Sequence, residues 1–175
     1  SALVEEGVPE QAIAVLSERS QTEWDAADQP IVRDSTGIYL NVVGLADMLI
    51  HSDRAPRGRR LLEATLAAME RDARDFGRGT LWQHHMRPVA LALLGRNDEA
   101  IAELHSAVVE RYALNEWWYY LEHEPAYAKL RADTRFQEIL RVAREHANRE
   151  RQALAQLRAS KLVPDRSGGA ANGDR

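Results

Sequence analysis

Leu94-Gly95-Arg96-Asn97-Asp98-Glu99-Ala100-Ile101, followed by Leu104 and Ala107, is the stretch whose reading decides the fold. Gly95 to Asp98 is turn chemistry, and on either side of it apolar residues recur three and four positions apart. Leu91 and Leu94 lie before the turn, and Ile101, Leu104 and Val108 after it. Such a pattern predicts two antiparallel helices joined tightly in a hairpin. Helices in a hairpin cross closely only where one offers Ala or Gly, and Leu one turn later fills the groove beside the crossing. Ala100 and Leu104 suit those two places.

The same device recurs along the chain. Gly7-Val8-Pro9-Glu10-Gln11-Ala12 runs to Leu16, and Asp53 through Gly58 runs to Leu62. The small residue thus returns at positions 12, 58 and 100. Further punctuation falls at Asp28-Gln29-Pro30, Asp34 to Gly37, Phe76 to Gly79 and Glu124-Pro125. Strand-like alternation is nearly absent, while Ala, Leu, Arg and Glu dominate. The expected fold is all-α, built from repeated helix hairpins.

The Leu94–Ala107 stretch resembles the turn and second helix of a tetratricopeptide repeat, with its Glu99-Ala100 pair, a large apolar residue and a later Ala. In that register Leu45, Ala46 and Leu49 take the large-small-large positions of the preceding repeat's first helix, and Gly58, Leu62 and Thr65 belong to its second. The resemblance implies an α-solenoid of about three antiparallel hairpins over residues 1–164, with the first hairpin truncated. The period exceeds the family's ~34 residues, so lengthened loops are expected at Thr22–Ser35 and Phe76–Thr80.

A second resemblance lies further on. Trp117 to Tyr127, then Leu130-Arg131-Ala132-Asp133-Thr134-Arg135-Phe136, is similar to the end of repeat regions in bacterial winged-helix transcription regulators and class III adenylate cyclases. It implies an output domain upstream of this segment. A long helix from about Thr134 to Lys161 follows, with a stripe of Phe136, Ile139, Leu140, Ala143, Ala147, Leu154 and Leu157. It should cap the array, since a terminal repeat needs a polar outer cover. Asp165 to Arg175, with Ser167-Gly168-Gly169, is expected to be a disordered tail.

Composition narrows the function. The 175 residues carry a net charge of −4, with 45% hydrophobic and 29% charged residues and 0 cysteines. That balance fits a globular chain, disfavours direct nucleic-acid or anionic-membrane binding, and excludes disulfides and thiolate chemistry. No apolar run reaches the ~20 residues of a membrane span. A cytoplasmic location is expected, or a periplasmic one if the parent protein has an upstream span.

Catalytic signatures do not assemble. His123-Glu124-Pro125-Ala126-Tyr127 opens like a metalloprotease motif, yet Tyr127 replaces the second ligand and Pro125 breaks the helix that would align them. His84 and His85 are adjacent, so on a helix they diverge and cannot share an ion. No phosphate loop or nucleophile elbow occurs. The sequence is therefore read as a non-enzyme, with no metal and no cofactor.

The binding site is expected on the concave face that first helices build in this family. Leu40, Val43, Asp47 and Ile50 would line it in the middle repeat. Trp82, His85 and Val89 would continue it in the next. An apolar groove with one acid and one histidine suits a peptide with a cationic or hydrogen-bonding anchor. Trp117, Trp118, Tyr119 and Tyr120 form a secondary candidate, because four consecutive aromatics cannot all face inward. Arg54, Arg57, Arg59 and Arg60 read either as a loop laced with salt bridges or as a seat for an acidic or phosphorylated partner. The expected function is protein or peptide recognition in a bacterial regulator; a sensory domain for a small ligand is the alternative.

Overall fold

The computed structural model describes residues 10–32, 39–75, 81–110 and 117–160; the side chains at 81–84, 110 and 117 lie outside that description. The chain is mostly helical. Helix α1 spans Glu10–Ser20, α2 Leu40–Ile50, α3 Ala55–Asp75, α4 Leu81–Leu93 and α5 Asn97–His105. A π-helical turn, Ser106–Glu110, extends α5. Helix α6 covers Trp117–His123, a 3-10 turn Pro125–Tyr127, and α7 Thr134–Ala159. The expected tail, Asp165 to Arg175, lies outside the described residues.

Local chemistry explains the boundaries. Gly95 has φ +77°, the left-handed conformation that glycine adopts freely. Its amide bonds to the Ala92 carbonyl at 3.0 Å and the Arg96 amide to the Leu91 carbonyl at 2.9 Å. This paired closure satisfies the last carbonyls of α4. Glu124 caps the 3-10 turn, its side chain accepting from the Ala126 amide, and Asp133 caps α7 by accepting from the Arg135 amide at 2.8 Å.

Helices α2 and α3 pack together, as do α4 and α5, and α6 and α7. Helix α4 also touches α2, α3 and the 3-10 turn, while α7 packs on α5 and the π turn. Each pair thus leans on the one before it. Of the small residues expected at close crossings, Gly58 lies directly against α2 and Ala100 is fully buried, as is Ala46, whereas Ala12 is only half-buried. Thr65, Leu61, Leu62, Leu66 and Met69 form the buried stripe of α3.

Two findings add to the expected picture. First, within the long connection expected at Thr22–Ser35, Glu23–Trp24 (β1) pairs antiparallel with Pro30–Ile31 (β2). Two-residue strands are too short to show alternation, so sequence patterning could not find them. Second, Leu154 and Leu157 are 39% and 42% exposed, and no residue of α7 beyond Ala147 is buried. The first half of α7 contributes to the core; its second half contributes no buried residue.

Candidate functional site

Asp47 on α2 and Glu124 at the cap of the 3-10 turn are brought toward one another across α4, which packs against both elements. Their carboxyls are half-buried. Asp47 Oδ1 faces His51 Nδ1 at 3.1 Å, one helical turn on, while that ring nitrogen also lies 2.9 Å from the Asp47 carbonyl. Burial pushes the Asp47 carboxyl above its ordinary range, with His51 opposing. Burial likewise raises Glu124; the Ala126 amide opposes this, the Asp47 charge adds to it, and Arg131 opposes.

Arg131 stands close but spends its Nη2 on the Glu124 backbone carbonyl, at 2.9 Å, leaving its Nε buried without a hydrogen-bond partner. Tyr127, three residues after Glu124, is fully buried, its ring 5.8 Å from that of Phe136. Among the described residues the Tyr127 hydroxyl has no hydrogen-bond partner. Burial and the Glu124 charge both hold it protonated. Glu124, Tyr127 and Arg131 thus lie together at the 3-10 turn, and α4 packs between that turn and the helix that carries Asp47. Charge recognition and hydrogen bonding are what such a set can do.

The other expected groove residues fall differently. Leu40 is 50% exposed, at the start of α2. Ile50 is partly buried and its Cγ1 abuts Gly58. Val43, His85 and Val89 are buried and belong to the core, so they do not present an open apolar face. The reason is that α4 is flanked by α2, α3 and the 3-10 turn together, which leaves little of it bare. His85 sits edge-on to Tyr120 with ring centroids 4.3 Å apart, and burial lowers its basicity. Trp82 and Trp117 have side chains outside the described residues.

Of the aromatic run, Tyr119 is 52% exposed while Trp118 and Tyr120 are half-buried. Tyr119 lies 4.5 Å from the His123 ring, and the Arg151 guanidinium stands 5.5 Å above Trp118. Three of the four arginines, Arg54, Arg57 and Arg60, form salt bridges. Arg54 bonds Glu10 at 2.8 Å, Arg57 reaches Asp28 at 3.0 Å and covers the Trp24 ring at 3.9 Å, and Arg60 also pairs with Asp28.

Sequence reasoning missed Glu124 and Tyr127 as members of a site. They were visible only as a broken metal motif; the signal available was an acid before Pro125, which marks a capped turn. Among the described residues no three His, Asp or Glu side chains are grouped to hold a metal, and no helix is long and apolar enough to cross a membrane. No protein-family model matches the chain, and no curated protein or solved structure shows significant similarity to it.

Proposed function

We propose that this chain is a helical-hairpin scaffold of tetratricopeptide type that recognises a protein or peptide, within a bacterial signalling or transcription regulator. Binding rather than catalysis is the work assigned to it, without cofactor and in the cytoplasm. One observation carries the reading: α4 packs against both α2, which bears half-buried Asp47 and exposed Leu40, and the 3-10 turn capped by half-buried Glu124. Close helix crossings at Gly58 and Ala100 support the hairpin register, and the resemblance of Trp117 to Phe136 supports the regulatory setting.

Site-specific photo-crosslinking tests it. A benzophenone side chain at Leu40 should trap a defined protein, while the same group at exposed Ala67 on α3 should not. Equal trapping at both positions, or none at either, removes the scaffold reading from this face. A sensory role for a small ligand is the second reading, favoured by the buried, unpartnered Tyr127 hydroxyl. A melting midpoint that rises with a small molecule alone would select it.

A further inference from the structure

We propose that the last turns of α7 are a docking surface for a partner protein's acidic amphipathic helix, which pairs with them as a short coiled coil. This surface is separate from the Leu40 face and stands or falls independently of it. Along α7 the residues Leu140, Ala143, Ala147, Glu150, Leu154 and Leu157 follow one another in alternating steps of three and four. That is the spacing of a coiled-coil seam. Through Ala147 the seam is buried within the chain. At Glu150 it is interrupted by a carboxylate facing His146 at 3.7 Å, and from Leu154 onward it is exposed.

The charge pattern changes at the same place. Arg135, Arg141 and Arg144 each pair with a carboxylate. Among the described residues Arg149, Arg151 and Arg158 pair with none. Arg151 instead donates to Asn148 Oδ1 at 2.7 Å and stands 5.5 Å above the Trp118 ring, contacts that hold its guanidinium beside the seam. Arg151 and Arg158 each directly follow a seam position, Glu150 and Leu157, so both lie on the same flank of the seam. From that flank a coiled-coil residue meets the charged edge of the opposite helix, so the occupant must bring carboxylates. A second copy of α7 brings none there. Run antiparallel, it sets arginine against arginine; run parallel, it sets Arg151 and Arg158 against His146 and Ala153. An anionic membrane fits less well, because the exposed apolar face amounts to two leucines and the chain as a whole carries a charge of −4.

The probe is a labelled synthetic peptide of three heptads with Leu at both seam positions and Glu on both flanks. Its twin carries Lys in place of every Glu. By fluorescence anisotropy with the full chain, the Glu peptide should bind saturably and more weakly as salt rises. The Lys peptide should bind at least about tenfold less tightly. Arg151→Glu combined with Arg158→Glu should reverse that preference, so that the Lys peptide binds about tenfold tighter. Leu154→Ser combined with Leu157→Ser should abolish binding of both peptides while the melting midpoint stays at the wild-type value, since neither leucine is buried. Equal binding of the two peptides, no binding of either, or a preference that charge reversal leaves unchanged overturns the proposal. So does sedimentation that finds the wild type self-associated and the leucine variant monomeric, which assigns the surface to a second copy. Binding to phosphatidylserine–phosphatidylcholine vesicles that the leucine variant loses overturns it too, in favour of a membrane.

Discussion

Gly58 is set so tightly against Ala46 that a Cβ built on it would lie 2.7 Å from the Ala46 carbonyl oxygen. The same atom would come within 2.8 Å of the Ile50 nitrogen and Cγ1. Two of these three neighbours are backbone, which cannot yield without moving α2. The α2–α3 crossing is thus fixed by the absence of a single methyl group.

That relationship decides the sign of a substitution. In a free helix Gly58→Ala would stabilise by roughly 0.5–1 kcal/mol. Here the overlap should outweigh that gain and cost about 1–3 kcal/mol net. Ala100→Leu, at the fully buried crossing of the next pair, should cost a similar amount. Thermal or urea melts check both. A higher midpoint for Gly58→Ala would mean the helices do not approach this closely in solution.

The exposed half of α7 reverses an expectation drawn from its apolar stripe. Leu154 and Leu157 continue the spacing of Phe136, Leu140, Ala143 and Ala147, but they stay exposed and outside the core. Ending the chain after Gln152, which keeps Arg151 over Trp118, should change stability by no more than ~0.5 kcal/mol. Light scattering should show an equally uniform species. A large loss of stability would show that the helix end is packed.

Tyr127→Phe probes the unpartnered hydroxyl. A buried polar group without a bond costs ~1–3 kcal/mol, and Phe keeps the ring that packs beside Phe136. The variant should melt at the same temperature as wild type or higher. A clear fall would mean that the hydroxyl has a partner that holds the turn.

Turns and crossings were legible because they are local: Gly95, Gly58 and Ala100 declare themselves within one hairpin. Asp47 was singled out from its position on α2 alone, and it is half-buried there. Its neighbour Glu124 was not, since only the packing of α4 between distant elements brings them together. Burial of Val43, His85 and Val89 depends on that same packing, and periodicity marks a helix face without saying how many neighbours will cover it.

Opposed carboxyl shifts should shape the pH dependence of folding. The Arg135 side chain and amide hold Asp133 down to about 2, from an ordinary 3.8. Its folded form binds the proton less tightly than the unfolded one, so its contribution is present above 3.8 and is lost as pH falls toward about 2. Glu124 is shifted the other way, first by burial and further by the Asp47 charge. Folding then takes up protons, and stability declines as pH rises from the ordinary 4.5 through the elevated folded value. Asp133→Asn should flatten the acid limb, and Glu124→Gln should flatten the decline above 4.5. Removing a like charge makes a remaining carboxyl easier to ionise. Asp47→Asn should therefore lower the Glu124 titration midpoint, read from its carboxyl carbon by NMR. A midpoint that does not move would separate the two acids in space and dissolve the junction on which the binding site is built.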